Sequence, residues 1–342
     1  LNGGLPTWSP DTMELAKEYN SRYLHWSDLE YRDVGPDSRE TLWALMKILR
    51  EGTIRTVEFD DLVIGYNITD NAQRILHDLD MRLSSGLVPS SILDEKRRLM
   101  LTVSSIMEES IASSQLEGAS TTTKVAKKML RENTAPRNKS ERMIVNNYNA
   151  MRFIKEHSND KLSPDMIREI HSLISHDTLD DTKYEGMFRD DNSIAVRDAF
   201  TGETYHDPPN FNRIPDLIKA LCDFANDDSV FVHPIVKGIV LHFVLAYIHP
   251  FMDGNGRVSR SLFYWYLMRN GYASVEYISI SKVMKSHRGK YDNAYLLSET
   301  DGNDITYFIN YNLDMIFEAT DAFLSYIRRK IEENSKALED SR

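Results

Sequence analysis

Cysteine is almost absent from this 342-residue chain: Cys222 stands alone. An internal disulfide is impossible, and a cluster of thiolate metal ligands is excluded in practice. Within Ile218-Lys219-Ala220-Leu221-Cys222-Asp223-Phe224 it reads as a small buried hydrophobe. Positive charge is in deficit, with 41 Lys and Arg against 52 Asp and Glu, a formal net charge of −11 and a pI of about 5.4. Nucleic-acid binders usually present a basic face and a high pI, so no nucleic-acid partner is expected through this chain. Long apolar runs are missing as well. The longest, 238–248, contains His242 and falls far short of the roughly 20 residues of a membrane span, so no membrane contact is expected. No secretory pattern opens the chain, which begins Leu1-Asn2-Gly3-Gly4 instead of with methionine. A reducing, cytoplasmic setting is the resulting expectation, with further residues upstream of Leu1. Asn67-Ile68-Thr69 and Asn138-Lys139-Ser140 match the glycosylation pattern and are read as chance. Internal repeats and low-complexity segments are absent.

What the chain does have is helical periodicity. Apolar residues at three- and four-residue steps predict helices over 40–50, 71–83, 121–130, 142–156, 163–175, 214–224, 234–247, 257–270, 283–297 and 305–327. From Ser91 onward Leu99, Val103, Ile106, Met107 and Ile111 share one face of a longer helix, which Gly118 ends. The run 57–64 is the only β-like one in the first half. Residues 194–196 and 203–206, around Thr201-Gly202, predict a β-hairpin. Ser84-Ser85-Gly86 and Pro89 suggest a soft boundary near 86–92. The fold expected is all-α with one small hairpin.

One stretch carries too much chemistry for a helix connection: His249-Pro250-Phe251-Met252-Asp253-Gly254-Asn255-Gly256-Arg257-Val258-Ser259-Arg260. A glycine-flanked loop opening a helix offers free backbone N–H groups and the positive end of the helix dipole to an anion. Arg257 and Arg260, three apart, lie close together on the new helix and suit phosphate oxygens. Asp253 is a hard oxygen ligand suited to Mg2+. His249 can accept a proton near neutral pH. Singly, each is ordinary, since His-Pro and Asp-Gly occur in many turns and spaced arginines on many solvated faces. Jointly they describe phosphoryl or nucleotidyl transfer.

The stretch resembles the signature of the Fic (Fido) family, His-x-Phe-x-Asp/Glu-Gly-Asn-Gly-Arg-x-x-Arg, and matches every fixed position. The resemblance implies a Fic-fold helical bundle that transfers AMP from ATP to Ser, Thr or Tyr hydroxyls of a target protein or of itself. In that scheme His249 is the base and Asp253 holds Mg2+. Gly254, Asn255, Gly256 and Arg257 cradle the α- and β-phosphates, and Arg260 grips the γ-phosphate. Phe251 is a buried anchor. The hairpin resembles the family's flap, which pairs with the target segment, with Ile194 over the site. Lys290-Tyr291-Asp292-Asn293-Ala294-Tyr295 keeps only one tyrosine, Tyr291, of the pair often found in the family's adenine pocket.

Ser113-Ser114-Gln115-Leu116-Glu117-Gly118 resembles the family's inhibitory pattern, Ser/Thr-x-x-x-Glu-Gly/Asn. Ser113 and Glu117 are one helical turn apart, so the hydroxyl is expected to fix the carboxylate, and Glu117 to occupy Arg260. The domain division expected is a helical N-terminal extension (1–90), an inhibitory helix segment (91–135), a Fic catalytic core (136–311) and a C-terminal helix (312–342). A homodimer is compatible with these residues. Two other readings stay open. One is a nucleotide-sensing regulatory protein with incidental catalysis. The other is a hydrolase in which the same glutamate activates water to remove AMP. His242 is read as a core histidine, and Asp304 as the cap of the following helix.

Overall fold

The computed structural model describes residues 8–83, 95–197, 202 and 204–340. The proposed boundary near 86–92 and the turn at Thr201 lie outside them. Among the described residues are thirteen α-helices and two two-stranded antiparallel hairpins. No helix among them is long and apolar enough to cross a membrane.

Two helices make the centre. α9 (Pro234–Ile248) is buried on nearly every side, and α10 (Asn255–Arg269) almost as completely, as expected of helices walled in by others. They pack mainly on each other. Gly238 makes the close crossing, since a Cβ there would lie 3.2 Å from the Phe263 ring. Around them stand α6 (Lys139–Glu156), α7 (Pro164–Ser175), α8 (Ile214–Asn226) and α13 (Thr306–Asp340). α4 (Glu95–Leu116) packs on α6 and reaches α10 with its C-terminal part. α5 (Thr123–Glu132) closes against α4 and α6. Local sequence sets the starts: Asn138 and Ser163 accept from the backbone N–H groups of Glu141 and Met166, and Pro164 occupies the first turn.

Cys222 is buried in the main core, and burial pushes its thiol up to about 12. His242 is fully buried, and burial holds it neutral, well below its ordinary value. Asp304 accepts from the N–H and hydroxyl of Thr306 and so caps α13. Leu99, placed on the buried face by its spacing, is instead 63% exposed and lines a surface groove with Met100, Val103 and Tyr326. The single helix expected over 283–297 breaks at His287 into α11 (Ile280–Ser286) and α12 (Arg288–Thr300). The break lets α11 dock on α4 while α12 turns onto α13. The buried Glu109 carboxylate fixes the start of α11 by accepting from the Ser281 N–H (3.0 Å) and hydroxyl.

The first 83 residues are not purely helical. α1 (Pro10–Ser21) and α2 (Arg39–Glu51) form a small cluster of their own around Ala16, Tyr19, Leu42, Leu45 and Met46. β1 (Arg55–Phe59) and β2 (Leu62–Tyr66) then pair, and Phe59, Ile64 and Tyr66 enter the main core beside α3 (Asp70–Leu83). Arg213 grips the hairpin turn at both Asp60 and Asp61.

A buried polar network joins α1 and α2 to the start of α13. Arg50, 3% exposed, donates to Asn20 Oδ1 (2.8 Å), Tyr307 Oη (2.8 Å) and the Leu24 carbonyl (2.6 Å). Tyr23 donates to Asp304 (2.6 Å), and Lys47 pairs with Asp301 (2.8 Å). Arg50→Ala leaves buried acceptors unfilled. It is expected to cost about 3–5 kcal/mol in denaturant unfolding and to expose residues 8–51 to limited proteolysis. Wild-type resistance and stability in the variant would contradict this account.

Candidate active site

His249 closes α9 with φ +49, in the left-handed region, and its N–H still reaches the Leu245 carbonyl (3.1 Å). That conformation swings the chain out of the helix and turns the imidazole back over its last turn. Nδ1 lies 3.1 Å from the Ala246 carbonyl. A carbonyl only accepts, so Nδ1 carries the proton and the lone pair sits on Nε2. Burial lowers the pKa to about 4, against smaller upward pulls from Ala246 and Glu117.

The loop after it is braced from several sides. Phe251 is fully buried and stacks on the His171 ring at 3.7 Å, 5° from parallel. His171 accepts from the Gly186 N–H at Nδ1 (3.0 Å), so its Nε2 donates to the Asp253 carbonyl (2.9 Å). Burial lowers its pKa to about 4 as well. The Asn255 amide bonds both to the Phe251 N–H (2.9 Å) and to its carbonyl (2.8 Å), so it shapes the loop. Arg189 donates its N–H to the Pro250 carbonyl (2.8 Å) and Nε to that of His249 (3.0 Å). Gly254 turns the chain at φ +87, a value costly for any side chain. Asp253 accepts from the Gly254 N–H at Oδ1 (2.6 Å), and its Oδ2 lies 3.7 Å from Arg257. Its side chain stays 52% exposed.

α10 begins under this loop with two arginines turned inward. Arg257 is completely buried, with Nη1 on the Ile174 carbonyl (3.3 Å). Its Nε and Nη2, and Nη1 of Arg260, have no hydrogen-bond partner among the described residues. Buried unpaired donors on cations are costly, and they mark a place built for an anion. Arg260 reaches α4: Nε donates to Ser113 Oγ (2.9 Å), and Nη2 to the Ser113 carbonyl (3.0 Å) and Glu117 Oε1 (2.8 Å). The Ser113 hydroxyl thus fixes the arginine and not, as the spacing suggested, the carboxylate. Both reach one guanidinium because they share a helix face. Burial raises the Glu117 pKa, but Arg260 outweighs it and holds the carboxylate below its ordinary range.

Glu117 follows the last turn of α4, and Gly118 ends that turn with φ +92. A Cβ on Gly256 would overlap the Glu117 carboxylate and lie 3.1 Å from Arg260. The carboxylate therefore rests directly over the first turn of α10, where backbone N–H groups and two guanidinium groups converge.

Tyr291 is buried beside the same guanidinium, with its hydroxyl on His242 Nε2 (2.9 Å) and its ring among Phe308 and Tyr311. Ile194 is half-buried in the extended lead-in to the second hairpin. That hairpin is shorter than expected, pairing β3 (Val196–Arg197) with β4 (Thr204–His206) through a register shift. Glu203 lies outside the described residues. Another His–carboxylate grouping, His176, Asp177 and Glu185, is largely exposed, and Arg142 and the Asp177 N–H already engage its carboxylates.

Sequence reasoning did not single out His171, Arg189 or His206. Each is a lone polar residue that acts across the fold, with no motif or period around it. The Gly186-Met187-Phe188-Arg189 run ahead of the hairpin is the one local signal, since it places an arginine between two irregular segments.

The sequence profile of the Fic/DOC family matches residues 161–267, from just before α7 to the last turns of α10. Proteins named protein adenylyltransferase Fic from Aedes aegypti and Culex quinquefasciatus are each 35% identical over 120 residues, which is 35% of this chain and 22% of theirs. The chain thus spans about a fifth of the length of these relatives. Among solved structures, a Fic-domain-containing signaling protein from Bacteroides thetaiotaomicron superposes with TM-score 0.60 at 25% identity, covering 74% of this chain and 97% of that one. A C. elegans Fic-1 fragment superposes with TM-score 0.61 at 18% identity over 95% of this chain and 90% of its own. The profile match spans the signature through Arg260, and the Fic-1 superposition extends the fold likeness well beyond it. Residues 161–267 thus carry a Fic/DOC-family domain.

Proposed function

We propose that this chain is a protein adenylyltransferase, moving AMP from ATP to a Ser, Thr or Tyr hydroxyl of a target protein, and that Glu117 restrains it. The observation that carries the reading is the set of unpaired guanidinium donors on Arg257 and Arg260 at the N-terminus of α10, with an internal carboxylate seated over Gly256. The printed names of the relatives point to the same chemistry. Residues 136–311 then form the catalytic core, with the brake on 91–135 and flanking parts at 1–90 and 312–342.

The chemistry follows from the atoms present. Phosphates settle on the first turn of α10, with Arg257 beneath them and Arg260 at their far end. Asn255 keeps the loop in shape through Phe251. His249 presents a lone pair on Nε2 and takes the proton of the target hydroxyl. The hydroxyl oxygen bonds to the α-phosphorus, and the bond to the leaving pyrophosphate breaks. One exposed carboxylate, Asp253, suits Mg2+, which binds largely through water and phosphate oxygens. Such an ion would neutralise phosphate charge during transfer. A negative carboxylate over Gly256 repels the terminal phosphate and withholds Arg260 from it. ATP then sits with its α-phosphate out of line.

Glu117→Gly is expected to raise labelling of lysate proteins from α-labelled ATP by at least about tenfold, the scale of one misplaced catalytic contact. Adding His249→Ala should return it to background. Equal labelling by wild type and Glu117→Gly would sink the brake. Label from γ-labelled ATP would mean kinase chemistry, and no label from either would favour a nucleotide sensor.

The pH profile gives a separate check. His249 works as a base only when neutral, and burial holds its pKa near 4. In Glu117→Gly the upward pull of that carboxylate is gone. The limiting rate should therefore stay level from pH 8 down to about 5.5. An acid limb near 6.5, the value of a free imidazole, would show that His249 is not held as described.

A further inference from the structure

The carbonyls at the end of α9 are almost fully accounted for. Leu245 accepts from the His249 N–H, Ala246 from His249 Nδ1, and the His249 carbonyl from Arg189 Nε. The Tyr247 carbonyl accepts from His206 Nε2 at 2.7 Å, and the two rings lie 4.7 Å apart. Arg189 and His206 stand on opposite flanks of the β3–β4 hairpin. Arg189 also reaches the Pro209 carbonyl, just beyond it. The hairpin is thereby cross-braced, from both sides, to the helix turn that aims His249.

His206 has a second contact. Its Nδ1 lies 2.7 Å from Glu299 on α12. Both neighbours are acceptors, a carbonyl and a carboxylate, and the ring spans them.

We propose that His206 is a positioning residue for the transfer reaction. It fixes the hairpin that receives the target segment to the turn of α9 that carries the base, with Glu299 holding its other ring nitrogen. The inference rests on the function read above, in which His249 takes the proton of a target hydroxyl, and on the resemblance by which this hairpin pairs with the target segment. His206 touches neither the reacting atoms nor the nucleotide seat. Proton transfer needs the hydroxyl within hydrogen-bond reach of Nε2 of His249. The hydroxyl is set by the hairpin and the base by α9, so the link between them sets the rate.

The link depends on one donor at one place. A glutamine amide reaches the depth of the histidine Nε2 and can still donate to the Tyr247 carbonyl, whereas an asparagine amide stops at the Nδ1 position. In the Glu117→Gly background, the initial rate of lysate labelling is measured as α-labelled ATP is varied. His206→Ala and His206→Asn should lower the limiting rate by about tenfold or more, with the KM for ATP within about twofold of the parent. His206→Gln should restore the rate to within about threefold. An unchanged rate in His206→Ala overturns the proposal. So does a Gln variant as slow as Ala, or a KM for ATP that rises in step with the loss.

A second readout stands apart from activity. In the protein with Glu117 intact, amide exchange over 204–207 should quicken in His206→Ala and stay slow in His206→Gln. If the Glu117→Gly parent labels nothing, the transferase reading falls and amide exchange alone decides the brace. Unaltered exchange in His206→Ala then overturns it.

Discussion

A guanidinium removed from water needs an anion, and Arg260 finds one within its own chain. It is 3% exposed, with Ser113 and Glu117 of the α4 end on one side and Tyr291 near it. Much else in the fold serves that meeting. α4 must run its full length to deliver Glu117, and Glu109 anchors it to α11 on the way. Arg288 holds its last turn by the Leu116 carbonyl (2.6 Å), and Lys285 holds Gln115 (2.6 Å). The second residue of α10 must be Gly256, because a larger residue would displace the carboxylate. The two central helices supply the rigidity, and the His249–Gly254 turn joins them with two left-handed residues, His249 and Gly254.

The twelve-residue stretch was legible because its chemistry is contiguous. A helix N-terminus, two arginines one turn apart and a histidine before the loop can all be read along the chain. The helices were legible for a similar reason, since periodicity and capping residues such as Asn138 and Ser163 are local. What escaped is long-range. His171, Arg189 and His206 each act on a segment distant in sequence, and a single polar residue has no period to betray it. The partner of Ser113 was misjudged because spacing tells which face two residues share, not which third group they meet there. The break at His287 was hidden because α11 and α12 keep similar apolar spacing on either side of it. Leu99 shows the limit of periodicity, since the face that buries Ile106, Met107 and Ile111 leaves Leu99 63% exposed near its start.

The N-terminal part is attached by polar groups more than by continuous core. α1 and α2 keep their own apolar cluster and meet the remainder through Arg50, Tyr23 and Lys47. The turn at Asp301–Asp304 receives all three, and Asp304 also caps α13. The β1–β2 turn holds Arg213, at the start of α8 and a few residues beyond Pro209. The chain that leaves the second hairpin is thus tethered on one side to α9 and on the other to the first hairpin.

The missing side chain of Gly256 has a thermodynamic consequence. It leaves one seat over α10, and a carboxylate already fills it. Two anions that exclude each other from one seat are linked reciprocally. On the proposed function, whatever lifts Glu117, whether a partner at the end of α4 or a loosening of that last helical turn, would tighten phosphate binding by some factor. Phosphate binding would then favour the lifted state, and that partner, by the same factor. Nucleotide concentration and partner occupancy would become two handles on a single equilibrium.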